Sequence, residues 1–122
     1  MSAEFKQITD KYSELLIQDL YLFANWDKKS IPTNKGVYII YNQQEQPLHI
    51  GSTPRGVNGL RGRLLDHYRG RSYFMRKYEF INVDLLKKEC SYQYIEVADD
   101  RIRALLEHYS IGMLCPLYLG LG

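Results

Sequence analysis

The sequence predicts an α/β fold, a small three-stranded, mainly antiparallel sheet flanked by helices, with an added N-terminal helix. Three observations carry that prediction. GVYIIY at 36–41 and PLHIG at 47–51 are apolar runs, rich in β-branched residues, on either side of the polar turn NQQEQ, and they read as a hairpin. SYQYIEV at 91–97 alternates along its length and reads as a third strand. Helical periodicity brackets these strands, before residue 27 and again from Asp99 onward.

In chain order, residues 4–26 carry apolar side chains at Phe5, Ile8, Tyr12, Leu15, Leu16, Leu20, Phe23 and Trp26, the spacing of an amphipathic helix. The polar stretch DKKSIPTNKG then forms a loop around Pro32 and Asn34. Residues 1–34 are thus an N-terminal helix and loop, and 35–122 the main domain. After the hairpin, GSTPRGVNG is a glycine-rich loop, and GLRGRLLDH begins a helix. SYFMRKYEF reads as helical, and VDLLKKE adds a turn or two. DDRIRALLEHYSIGML is a helix capped by Asp99 or Asp100. Its buried stripe is Ile102, Leu105, Leu106, Tyr109 and Met113, and Pro116 stops it.

In hairpins, cross-strand partners share a face. Tyr38 and His49 therefore share one if residues summing to 87 are opposed, and lie on opposite faces if the register slips by one. The sequence leaves that register open.

Composition narrows the class. The 122 residues are 45% apolar and 25% charged, which fits one globular domain. No apolar run approaches the roughly 18–20 residues of a membrane helix, and the acidic N-terminus lacks a signal core, so a cytoplasmic protein is expected. Cys90 and Cys115 form no CxxC pair and read as reduced structural residues, with one disulfide left open.

The net charge of +2 hides an uneven distribution. Between Gly51 and Tyr78, Arg55, Arg61, Arg63, Arg69, Arg71, Arg76 and Lys77 face Asp66 alone. A basic middle on an acidic frame is an electrostatic footprint for a polyanion, and guanidinium favours phosphate. Arg63 and His67 stand four apart on one helix face, either as an indifferent surface accident or as part of a site for an anion. Glu107 lies mid-helix beside the buried stripe, where an ionised group needs a partner such as a metal or an arginine. Taken alone, Glu107 reads as solvent-facing and Tyr38 and His49 as packed strand residues.

Order and spacing change that weighing. Gly36-Val37-Tyr38, then His49-Ile50-Gly51, then Arg63 and His67 in RLLDH, then Glu107 in ALLEHYSIGMLCPLY, resemble the GIY-YIG nuclease family over roughly residues 35–119. Two positions depart from its pattern. His49 stands where a tyrosine is usual, and Leu119 stands where an asparagine is usual, a side chain that cannot make an amide's hydrogen bond.

The resemblance implies a metal-dependent DNA endonuclease that hydrolyses phosphodiester bonds, with Tyr38, His49, Arg63, His67 and Glu107 as catalytic residues. Glu107 would anchor one Mg²⁺ or Mn²⁺ per active site, because such an ion needs only one or two carboxylates. Arg63 would clamp the scissile phosphate. Tyr38 or His67 would activate water, and the sequence does not choose between them. Arg55, Arg61, Arg69, Arg71, Arg76 and Lys77 would contact DNA phosphates. Cutting both strands would call for a homodimer or a partner subunit. The alternative is a catalytically weakened DNA-binding or regulatory module on the same scaffold.

Overall fold

The structure, a computed structural model, describes residues 2–53, 58–77 and 82–119. The chain order is α1 (Ala3–Leu16), β1 (Tyr21–Leu22), β2 (Gly36–Tyr41), β3 (Pro47–Ser52), α2 (Gly59–Tyr68), α3 (Tyr73–Lys77), α4 (Val83–Glu89), β4 (Ser91–Glu96) and α5 (Asp100–Leu114). The sheet order is β1-β4-β2-β3, with every pairing antiparallel.

The sheet thus has four strands, one more than the sequence pattern suggests, and the added strand comes from the segment read as helix. The helix ends at Leu16 rather than running to residue 26. Tyr21 and Leu22 pair with Tyr92 and Ser91, and Tyr21 stacks on the rings of Tyr92 and Tyr94. Phe23 is buried beneath this edge beside Trp26. Strand pairing satisfies the backbone while the same apolar residues stay covered, so their spacing alone does not separate helix from strand.

Central β2 is buried along its whole length, and its alternating side chains feed two cores. Val37 and Ile39 pack with Ile50, Ile95 and Val97 against Ile8 and Leu15 of α1 and Leu106 of α5. Tyr38 and Ile40 pack on the other face with Leu60 and Leu64 of α2, Phe74 of α3, Leu86 of α4 and Tyr92.

The hairpin register opposes Tyr38 to Gly51 and Ile40 to His49. That is two residues from the 87 pairing, and a shift of two preserves the face. Tyr38 and His49 therefore point to the same side. The register jumps between Ile40 and Tyr41, leaving Leu48 as the extra residue. The bulge turns Leu48 into the Tyr38 core, although strict alternation from His49 would place it opposite.

Asp99 caps α5, its side chain accepting the Ile102 N–H. Within that helix Arg103, Leu106 and Ser110 are buried, whereas Met113, expected inside, is 55% exposed, and Ile111 and Leu114 take the core-facing positions of the last turn. Cys115 ends it in the left-handed region (φ 47°), just before Pro116. The chain then turns back, with Leu117 and Tyr118 donating backbone hydrogen bonds to the Pro47 and Leu48 carbonyls. Both cysteines are free. No helix among the described residues is long and apolar enough to cross a membrane.

The first turn of α2 is welded to the loop before β2. Leu60 and Arg61 donate backbone bonds to the Asn34 and Pro32 carbonyls. Gly59 has φ +46°, and a Cβ there would collide with the Thr33 and Asn34 carbonyls.

Candidate active site

Tyr38 projects from the middle of β2 toward the edge strand β3. Its hydroxyl reaches across Gly51, where a Cβ would come within 2.6 Å of Tyr38 Cζ. In that space the phenolic oxygen meets two imidazoles. His67 Nε2, from the last turn of α2, lies 2.7 Å from it, and His49 Nε2 lies 3.5 Å away. His49 stacks on Phe74 of α3, with ring centroids 4.4 Å apart. His67 Nδ1 is 2.7 Å from the Ser72 hydroxyl, and Ser72 in turn accepts the Met75 N–H at the start of α3. Four elements thus hold one phenol.

Arg63 lies one turn before His67 on α2. Its only described ion pair is with Asp66 at 3.9 Å, and its Nε is buried with no hydrogen-bond partner. That positive charge is felt throughout the cluster. Burial pushes the Tyr38 hydroxyl up to about 12, against the pull of Arg63 and with a further push from Glu107 and Asp66. Burial, reinforced by Arg63, lowers His49 to about 4. His67 is also held well below the usual histidine value, by burial first and then by His49 and Arg63. All three groups are therefore neutral near pH 7.

Glu107 comes from α5, which packs on the opposite face of the sheet. Ser52, next to Gly51 on the strand edge, donates its hydroxyl to Glu107 Oε1 at 2.8 Å. The carboxylate is near enough to act on the Tyr38 hydroxyl electrostatically. Tyr38, His49, Arg63 and His67 thus gather on one face, and Glu107 approaches from the other at the same point of the β3 edge.

Glu107 makes no ion pair with a described residue, and no group of three or more His, Cys, Asp or Glu side chains could hold a metal among the described residues. One half-buried carboxylate with a neighbouring hydroxyl is a donor set that suits a hard, water-rich ion such as Mg²⁺ or Mn²⁺.

The basic segment divides. Arg69, Arg71 and Arg76 are exposed, while Arg61 donates its Nε to the Ile31 carbonyl at 2.8 Å. Arg55 and the Lys77 side chain lie outside the described residues.

Three residues that sequence reasoning missed support the site. Ser72 is one, and its readable signal was a serine at the start of a short helical segment. Ser52 is another. Buried Arg103 is the third: it donates to the Thr53, Val97 and Ala98 carbonyls and pairs with Asp100 at 2.6 Å. One turn before Glu107, it fastens the end of β3 to the head of α5.

No family model matches the sequence, and no curated protein matches it. Solved structures do match. Two are of the GIY-YIG N-terminal endonuclease domain of UvrC from Thermotoga maritima, each a point mutant bound to its catalytic divalent cation. One carries a tyrosine-to-phenylalanine change (TM-score 0.54) and the other an asparagine-to-alanine change (TM-score 0.52). Each is 21% identical to this chain, and the match covers 99% of this chain and 100% of the other. A four-stranded antiparallel sheet with helices on both faces, matched over nearly the whole length, gives this protein the fold of the GIY-YIG endonuclease domain.

Proposed function

We propose that the protein is a DNA endonuclease that hydrolyses phosphodiester bonds with one divalent metal per site. The observation that carries this reading is the Tyr38 hydroxyl, held 2.7 Å from His67 beside the poorly paired Arg63. A guanidinium with little compensating charge is suited to a phosphate. Tyr38 and His67 are closed to solvent, so substrate reaches them from the partly exposed Arg63 and His49.

Arg63 clamps the scissile phosphate and lowers the cost of charge developing on its oxygens. Tyr38 takes the proton of the attacking water. A phenol near 12 is neutral at pH 7, so it accepts that proton only if its own leaves, and an imidazole at its hydroxyl receives it. Glu107, with Ser52 beside it, would hold Mg²⁺ or Mn²⁺, which when bound neutralises charge on the phosphate and the leaving 3′-oxygen. Arg69, Arg71 and Arg76, with Arg55 and Lys77, contact neighbouring phosphates and position the duplex, while Arg61 is held by the Ile31 carbonyl.

Plasmid nicking in Mg²⁺, Mn²⁺ or EDTA, with wild type and Glu107→Ala, tests the reading. Metal-dependent nicking by wild type, abolished in Glu107→Ala with DNA binding largely intact, is expected. Retained nicking by Glu107→Ala would overturn the role given to that carboxylate.

A second reading, a binding or regulatory module on the same scaffold, is favoured by the full burial of Tyr38 and His67 and by an apolar Leu119 that is 44% exposed. A wild type inert on plasmid, single-stranded and branched DNA, but switched on by Leu119→Asn, would select it.

A further inference from the structure

We infer that Ser72 is a positioning residue that sets the direction of a hydrogen-bond chain through the site, in which Ser72 donates to His67, His67 donates to Tyr38, and Tyr38 donates to His49. The direction itself is a property of the resting protein. Its use in catalysis rests on the nuclease reading above.

The direction follows from a count of protons. A serine hydroxyl has one proton and two lone pairs. Ser72 Oγ spends one lone pair on the Met75 N–H, at 3.2 Å, and its remaining described partner is His67 Nδ1 at 2.7 Å. Ser72 is 3% exposed. Were Nδ1 protonated, Oγ would accept twice and its own proton would be stranded in a dry interior, which buried polar groups avoid. With the Ser72 proton directed to Nδ1, that nitrogen is bare, and neutral His67 carries its proton on Nε2. The Nε2–H then donates to Tyr38 Oη at 2.7 Å. The phenolic proton turns to the remaining acceptor, His49 Nε2, over a longer 3.5 Å. In this direction the protons of Ser72, His67 and Tyr38 each have an acceptor. In the reverse direction the Ser72 proton has none.

The consequence concerns which imidazole does what. His67 steadies the phenolic oxygen and does not take its proton. The outlet is His49, which occupies the position where the resemblance places a tyrosine. In the reaction the Tyr38 O–H proton passes to the lone pair of His49 Nε2, and the O–H bonding pair stays on the phenolic oxygen. That oxygen accepts one proton from water as the water oxygen forms its bond to phosphorus. The bond from phosphorus to the 3′-oxygen breaks, and the 3′-oxygen leaves with the bonding pair. Tyr38 is restored, and His49 returns its proton to solvent.

Histidine side-chain ¹⁵N–¹H correlation spectra of the ¹⁵N-labelled full chain at pH 7, without metal or DNA, read the tautomer directly. His67 is expected to be protonated at Nε2 and His49 at Nδ1. Protonation of wild-type His67 at Nδ1 would overturn the inference, whatever the nicking assay gives. Ser72→Asp keeps an N-cap acceptor but offers no proton, so it should flip His67 to the Nδ1–H form. A folded Ser72→Asp that retains the Nε2–H form would remove Ser72 from its role. Ser72→Ala should slow nicking about 10–100-fold, the usual range for loss of an orienting partner, with DNA affinity unchanged. Absent nicking with the expected tautomers would defeat the nuclease reading and leave the chain direction standing.

Discussion

Arg63 shows how much of the electrostatics of the candidate site depends on one side chain. It lowers the pKa of both histidines, draws on the Tyr38 hydroxyl and keeps a buried donor unpartnered. A lysine would preserve the charge and lose the planar fork. Arg63→Lys is therefore expected to fold normally and to nick DNA about ten- to a hundredfold more slowly, the loss of a charge-assisted hydrogen bond of about 1.5–3 kcal/mol. Single-turnover nicking rates check this, and a rate within twofold of wild type would exclude a bidentate clamp. At this scale the sequence was informative where spacing is rigid. Residues four apart on a helix must share a face, so Arg63 and His67 were readable as a pair. Ser72 was not, because its bond to His67 spans a turn whose path no local pattern determines.

Among the elements, β3 carries the most constraint. Its pairing with β2 sets Tyr38 opposite Gly51, and the missing side chain at Gly51 makes room for the phenol. Gly51→Ala places a methyl group against the ring in a close-packed core. We expect a destabilisation of about 1–3 kcal/mol, typical of overpacking, with nicking falling further than stability explains. Urea denaturation beside a nicking assay tests both, and a variant with unchanged activity would show that the phenol is free to move. The hairpin, the third strand and α5 were legible because apolar alternation and capping residues are local signals. The segment 17–26 was not, since only Ser91 and Tyr92, roughly seventy residues away, offer the backbone partners that make Tyr21 and Leu22 a strand.

The molecule as a whole responds to pH through its buried neutral groups. His49 and His67 have folded pKa values below the unfolded value of about 6.5. The unfolded chain thus binds more protons as pH falls, so stability drops from about pH 6.5 toward 4. Tyr38 and Tyr41 are raised to about 12, above the unfolded value of about 10, so their contribution is lost as pH rises through that interval. Burial also raises the Cys90 thiol to about 11, so denaturant unfolding across pH 4–11 should give a plateau between roughly 6.5 and 8.5. His49→Asn should flatten the acid limb, and an unaltered limb would show that His49 is not buried as a neutral base. The resemblance named from four short sequence pieces is matched by the fold over nearly the entire chain. The approach of Glu107 from the opposite face could not be read beforehand, because it depends on how α5 crosses the sheet.

The return of the chain after α5 has a consequence for solubility. β3 is an edge strand, and an open edge invites pairing with another chain. Pro47 offers no N–H, and the Pro47 and Leu48 carbonyls are occupied by Leu117 and Tyr118. At the other end Arg103 takes the Thr53 carbonyl. Among the described residues, what stays open between them is the stretch from His49 to Ser52, where the candidate site lies. The same few hydrogen bonds that frame the site therefore act as a guard against aggregation. A chain cut after Cys115 should keep its two cores and yet assemble through the bared strand, seen as concentration-dependent light scattering and thioflavin binding. A truncated protein that stays monomeric at high concentration would show that the edge needs no cover.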